Sequence, residues 1–120
     1  MDPDLSWGPA DSGALIEFYG ALPDATTRSV VVRMDGRTIG VIGAAIEGGH
    51  ATLFSDVAPE LEPYLRTLTV MRAVRAGITL AKGLRLPVFA FVEKDGGGRI
   101  LEREGFVDHD EPGWKKWVPC

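Results

Sequence analysis

Two carboxylates, Asp56 and Glu93, lie at the ends of two apolar segments that flank the longest helical stretch of the chain. A carboxylate in such a position can act as a general base and accept a proton from a substrate. Each can equally well serve the fold alone, Asp56 by stabilising a bulge and Glu93 by closing its strand. The residues themselves leave both interpretations open.

The two apolar segments and the helix between them predict a βαβ unit. Residues 51–57 and 87–93 are typical of strands, and the stretch between them repeats apolar residues at helical spacing: Leu61, Leu65, Leu68, Met71, Val74, Ile78 and Ala81. We expect a right-handed crossover. A ligand site is then expected where the two strand ends part, beside the N-terminus of the helix. Pro63 must lie in or just before the first helical turn, where its missing N–H does no harm.

The remaining segments predict a mixed sheet with helices packed on it. In chain order they are an edge strand at 5–8, a helix at 12–21, strands at 29–34 and 37–46 joined by the hairpin pair Asp35-Gly36, a short helix ending near 104, and a closing hairpin at 106–118. The predicted fold is one α+β domain over residues 1–120. Its central sheet should have about six to seven strands flanked by three helices.

Composition excludes several classes of protein. Hydrophobic residues at 45% and charged residues at 25% are typical of a globular domain, and a net charge of −4 argues against nucleic-acid binding. No apolar run approaches the roughly 18 residues of a membrane span, and the acidic start does not resemble a secretory signal. The single cysteine, Cys120, permits no intramolecular disulfide, and with His50 and His109 it gives no metal-site spacing. We expect a cytoplasmic protein without a metal.

The charge is unevenly distributed along the chain. No acidic residue occurs from 63 to 92, whereas this stretch carries five basic side chains, Arg66, Arg72, Arg75, Lys82 and Arg85. One interpretation is a solvated helix face whose counter-charges come from elsewhere in the fold. The other is a surface that faces an anion.

Three short motifs occur along the predicted elements: G-P-A-D at 8–11, V-A-P-E at 57–60 and L-E-R-E-G-F at 101–106. Their order and spacing resemble the GNAT superfamily of acyl-CoA-dependent N-acyltransferases over nearly the whole chain. Two features of that family are missing. Residues 61–67 contain no glycine where the family has its R/Q-x-x-G-x-G/A loop, and Leu101 stands where the family usually has a tyrosine donor.

The resemblance implies transfer of an acetyl group from acetyl-CoA to an amine, with Asp56 or Glu93 as the base. It implies that the cofactor is bound at the end of the first apolar strand, at the start of the helix and after the second strand, by Ser55, Val57, Ala58, Arg66, Thr67 and Lys94. The acceptor would be a protein or a small amine.

The missing glycine loop also supports a second hypothesis. The chain is similar to small GNAT-like proteins encoded by phages, and it could be a non-catalytic module that binds another protein through the basic helix and the tail tryptophans, Trp114 and Trp117. A homodimer formed through the last hairpin is compatible with either function.

Overall fold

The computed structural model describes residues 2–92 and 97–119, so the predicted site residues Glu93 and Lys94 lie outside the described part, as does Cys120. The elements are, in order, β1 Leu5–Pro9, α1 Ser12–Tyr19, β2 Thr26–Met34, β3 Arg37–Glu47, β4 His50–Val57, a 3-10 helix Pro59–Tyr64, α2 Leu68–Gly83, β5 Val88–Phe91, α3 Gly97–Arg103, β6 Val107–Asp108 and β7 Trp114–Trp117.

The strands form one seven-stranded mixed sheet in the order β1-β2-β3-β4-β5-β7-β6. Only β4 and β5 pair in parallel among the described strands, because the helix α2 carries the chain from one to the other. The β2–β3 hairpin turns at Asp35 and Gly36, whose φ angles of 52° and 83° suit the two-residue turn predicted for this pair. The predicted fold class is therefore confirmed.

The helices cover opposite faces of the sheet. Along β4 the side chains alternate between the faces. Ala51 and Leu53 belong to the apolar cluster beneath α2 and α3, whereas Phe54 packs with Ala14 of α1 on the other face. The same alternation places Asp56 on the α1 face. None of the described helices combines the length and the apolar character needed to cross a membrane.

The predicted start of the long helix near residue 61 is wrong. α2 begins at Leu68, with Thr67 as its N-cap. The preceding residues form a separate 3-10 helix that contains Pro59 and Pro63, because two residues without amide hydrogens cannot continue an α-helical hydrogen-bond ladder. Leu61 thus belongs to the 3-10 helix, where its side chain is completely buried.

One hydrogen bond connects α1 to the start of β3. The amide of Thr38 donates to Glu17 Oε1 at 2.9 Å. Thr38 lowers the pKa of the Glu17 carboxyl below its ordinary value, through its hydroxyl first and its amide second, since both favour the ionised form. The Thr38 hydroxyl forms no hydrogen bond with any described residue. We therefore attribute the anchoring of Glu17 to the Thr38 amide.

Substituting Glu17→Gln should therefore lower the free energy of unfolding at neutral pH. It should also make that free energy depend less on pH in the acidic range. Because the pKa of Glu17 is lower in the folded state, its contribution is complete above the unfolded value near 4.5 and is lost as the pH falls through the folded value. Urea unfolding at neutral and at strongly acidic pH measures the difference in stability between wild type and Glu17→Gln. This difference should be smaller in acid. Glu47→Gln, on an exposed carboxylate at the end of β3, is the control and should change neither curve.

Candidate functional site

The strands β4 and β5 pair along a short stretch and then part. Their ladder joins Ala51 to Val88, Thr52 to Phe89 and Leu53 to Ala90, and it stops there. β4 continues to Val57 without a further partner in β5 among the described residues. The ladder therefore ends where the βαβ pattern predicts the two strands to part, and we call the unpaired edge of β4 beyond Leu53, beside α2, the slot.

The backbone of β4 presents hydrogen-bonding groups to the slot. The amide of Ala51 donates to Pro87 O at 2.9 Å on the β5 side, whereas the amide of Ala58 donates to Ile39 O at 2.8 Å on the β3 side. Because backbone groups alternate direction along a strand, odd-numbered residues of β4 face β5. Beyond the last paired residue these are Ser55 and Val57, whose amides and carbonyls therefore face the slot.

The first turn of α2 adjoins this end of β4. Val57 and Ala58 share an apolar cluster with Leu61 and with Val70 of α2, so the strand end and the helix start are in contact through their side chains. The first amides of an α-helix have no partner inside the helix, and the helix dipole favours negative charge there. Thr67 Oγ1 accepts from the Val70 amide at 3.4 Å, which satisfies one of these donors. Leu68, the first helical residue, is 64% exposed, so this end of the helix is open to solvent.

The basic side chains of the acid-free stretch divide into two groups. Arg75 and Lys82 form ion pairs with Glu104, just beyond the end of α3, at 3.4 and 3.7 Å, so for these two the counter-charge comes from elsewhere in the fold. Arg66, Arg72 and Arg85 are exposed and have no acidic partner in the described part of the chain. Only this second group can face an external anion.

On the α1 face, Asp56 is paired with a residue that the sequence did not single out. The hydroxyl of Tyr19 donates to Asp56 Oδ2 at 2.6 Å. Partial burial of Tyr19, which stays 38% exposed, raises its pKa, and the hydrogen bond to Asp56 raises it further. The hydroxyl is therefore a proton donor at neutral pH. In the sequence Tyr19 repeats at helical spacing with Leu15, Phe18 and Leu22, which indicates a core residue of its helix. No local spacing connects it to Asp56.

Five of the six predicted cofactor contacts lie in the described part of the chain. Ser55 and Val57 border it through their backbone, and Arg66 and Thr67 precede α2. The backbone of Ala58 is occupied by the fold, since its amide bonds Ile39 and its carbonyl accepts from Leu61. Ala58 therefore has no free amide to donate to a cofactor.

The other positions considered from the sequence have structural roles or no cluster around them. Leu101, where the family usually carries a tyrosine, is buried in the core beneath α3. Among residues 2–92 and 97–119, no group of His, Cys, Asp or Glu side chains could hold a metal ion.

Solved structures of known fold share this architecture. A GNAT family acetyltransferase from Brucella melitensis, in complex with acetyl-CoA, superposes with a TM-score of 0.64 at 14% identity, over 96% of this chain and 88% of that one. Ard1 from Thermoplasma volcanium gives a TM-score of 0.53 at 13% identity, over 97% and 98% of the two chains. The KacTA–DNA complex gives a TM-score of 0.51 at 11% identity, over 95% of this chain and 92% of that one.

No protein-family model and no curated protein matches the chain in sequence. At such low identities the likeness establishes the fold alone. The chain has the fold of the GNAT acetyltransferases.

Proposed function

We propose that the protein is an N-acetyltransferase that moves an acetyl group from acetyl-CoA to an amine. The observation that carries this proposal is the slot, where β4 and β5 part after Leu53 and Ala90 beside the first turn of α2. An unpaired strand edge of this kind can bond a narrow, extended chain through its backbone groups. The pantetheine arm of acetyl-CoA has this shape, with amide groups along its length.

The residues around the slot suit the two parts of acetyl-CoA that must be recognised. Ser55 and Val57 would bond the amides of the pantetheine arm through their backbone. The diphosphate would lie at the start of α2, where Leu68 and Thr69 contribute first-turn amides and Arg66 contributes a positive charge. Backbone recognition by a glycine loop is thus replaced in part by one guanidinium group.

The acceptor would approach from the α1 face, where Asp56 is exposed at the rim of the slot. The reaction needs a group that accepts a proton from the attacking amine, and Asp56 is the carboxylate placed to do so. Glu93, outside the described residues, remains a second candidate. The loop after α1 is short, which suits an open site and an acceptor that is a protein or a small amine.

Isothermal titration with acetyl-CoA tests the proposal directly. We expect saturable binding and, with an amine present, release of free CoA measured by mass spectrometry. Mass detection is preferable to thiol reagents because Cys120 would react with them. The absence of any heat at millimolar acetyl-CoA would overturn the proposal.

Substituting Arg66→Gln should weaken acetyl-CoA binding about fivefold to tenfold. This corresponds to about 1–1.4 kcal/mol, the value expected for a partly screened contact between a guanidinium and a diphosphate. The loss should shrink in concentrated salt, because salt screens exposed charges. Arg85→Gln removes the same charge beyond the opposite end of α2 and should leave the affinity unchanged. Equal losses in the two variants would mean that net charge, and not the position of Arg66, governs binding.

A second candidate is a non-catalytic module that binds another protein or a second copy of the chain. It is favoured by the uncovered face of β5 and β7, where Phe91 is 50% exposed and packs against Trp114 with ring centroids 5.3 Å apart. The basic helix supports it less than the sequence suggested, because Glu104 occupies two of the cations. Trp117 packs against the core. This candidate requires no acetyl-CoA, so the same titration separates it from the first.

A further inference from the structure

The hydrogen bond between Tyr19 and Asp56 joins two distant elements at the rim of the slot. The donor is the last residue of α1, the acceptor belongs to β4, and 37 positions of sequence separate them at an oxygen–oxygen distance of 2.6 Å. A short bond from a neutral hydroxyl to a carboxylate is among the stronger hydrogen bonds in proteins. The pair is therefore a defined contact that orients both side chains.

The position of Tyr19 is fixed by packing and by the end of its helix. Its ring meets Phe18 edge to face, with centroids 4.9 Å apart, and Phe18 packs against the α1-side core beside Phe54. Gly20 ends the helix directly after Tyr19 with a φ of 83°, and its amide bonds Ile16 O at 2.8 Å. These contacts hold the Tyr19 hydroxyl at the sheet.

Asp56 stands between the two residues whose backbone faces the slot, Ser55 and Val57. Its own side chain projects to the α1 face, because side chains alternate along the strand. Tyr19 occupies Oδ2, and Oδ1 has no hydrogen-bond partner among the described residues. One carboxylate oxygen is thus held by the fold, and no described residue occupies the other at the side from which an acceptor would approach.

We propose that Tyr19 is a positioning residue for Asp56, holding Oδ2 so that Oδ1 accepts the proton of the attacking amine. This inference rests on the proposed function. In the reaction the amine nitrogen bonds the acetyl carbon, the carbon–sulfur bond breaks, and the sulfur leaves as the thiolate of CoA. The proton lost from nitrogen goes to Asp56 and passes from there to the thiolate or to water, so the products are the acetylamide and free CoA.

The ionisation behaviour of Tyr19 agrees with this role. Burial and the neighbouring carboxylate both raise the pKa of Tyr19, so it keeps its proton throughout the neutral range and donates to Asp56 in every turnover. A tyrosine that ionised near neutrality would instead repel the carboxylate.

The test measures acetyl transfer from acetyl-CoA to two probes, n-butylamine and poly-L-lysine, in four proteins: wild type, Tyr19→Phe, Asp56→Asn and the double variant. We expect Asp56→Asn to lower kcat about 100-fold, as for loss of a general base. Tyr19→Phe should lower kcat about tenfold, and the double variant should match Asp56→Asn, because residues that act as one unit are not additive. The dissociation constant of acetyl-CoA, measured by calorimetry, should stay the same in all four.

Tyr64→Phe is the matched control, since it removes the same atom from the only other tyrosine of the chain. It should transfer acetyl groups as wild type does. A kcat for Tyr19→Phe equal to that of wild type would overturn the positioning role while leaving the proposed function intact. Wild-type protein that binds acetyl-CoA but acetylates neither probe would overturn the assignment of the pair. Failure of the wild-type protein to bind acetyl-CoA would instead overturn the proposed function itself.

A spectroscopic titration checks the contact independently of turnover. In the Tyr64→Phe background, ultraviolet absorbance reports the ionisation of Tyr19 alone. Its pKa should lie well above the ordinary value of 10.0, and Asp56→Asn should bring it part of the way back. The return is partial because burial, the larger cause of the shift, remains. A titration curve that Asp56→Asn leaves unchanged would contradict the hydrogen bond.

Discussion

Substituting Gly77→Val should lower the free energy of unfolding by about 3 kcal/mol, at the upper end of what overpacked cores lose. Gly77 is buried in the middle of α2, and a Cβ placed there would lie 2.7 Å from Ile42 Cγ2 and 3.2 Å from Ile42 O. Because a backbone carbonyl of β3 lies so near, the clash cannot be relieved by rotating one side chain. The helix would have to move away from the sheet, and its first turn would move with it.

Urea unfolding of the purified variants measures this effect, with Gly83→Ala as the control. Gly83 belongs to the same helix, but a Cβ there would meet nothing within 4 Å. Alanine favours helix more than glycine by up to about 1 kcal/mol, so the control should be neutral or slightly more stable. If Gly77→Val unfolded at the wild-type urea concentration, the close approach of α2 to β3 would be wrong.

Much of the fold could be predicted because its signals are local. The pair Asp35-Gly36 requires positive φ at both positions, so it indicates one kind of hairpin whatever surrounds it. The continuous apolar run before Glu93 and the helical spacing before it predict the βαβ unit. From that unit alone followed the parallel pairing of β4 with β5 and the slot beside α2.

The start of α2 could not be predicted from periodicity. Leu61 and Leu65 continue the apolar spacing of the helix, yet they lie before it, because they pack on the same core from a 3-10 helix and a turn. Spacing reports which side chains are buried, and it does not distinguish the two helix types. The two prolines were the better signal, together with Thr67, which can cap a helix through its hydroxyl.

The details of the candidate site escaped prediction for a different reason. Ser55 and Val57 face the slot through backbone groups that every residue possesses, so their residue types carry little information. The partner of Asp56 depends on tertiary packing that brings α1 over β4. A glycine within helical spacing does not by itself reveal a close approach, whereas in the fold Gly77 lies against Ile42 of β3.

Substituting Leu61→Ala should lower both stability and acetyl-CoA affinity, because this side chain joins the core to the slot. Leu61 is completely buried in a cluster with Val57 and Val70, the residues at the end of β4 and in the first turn of α2. Truncation of a buried leucine leaves a cavity and costs about 3 kcal/mol. We also expect acetyl-CoA affinity to fall about tenfold, or about 1.4 kcal/mol, since the strand end and the helix start lose their common support.

Leu80→Ala is the control for this prediction, because it makes the same truncation on α2 at a side chain that is 38% exposed. It should cost less than about 1.5 kcal/mol, since a half-exposed leucine loses little burial, and it should leave the acetyl-CoA affinity unchanged. The affinities must be compared at a temperature where calorimetry shows both variants folded. A variant Leu61→Ala that is destabilised but binds acetyl-CoA as wild type does would show that Leu61 supports only the core. The geometry of the slot would then depend on the hydrogen bond from Ala58 to Ile39 and on the Thr67 cap.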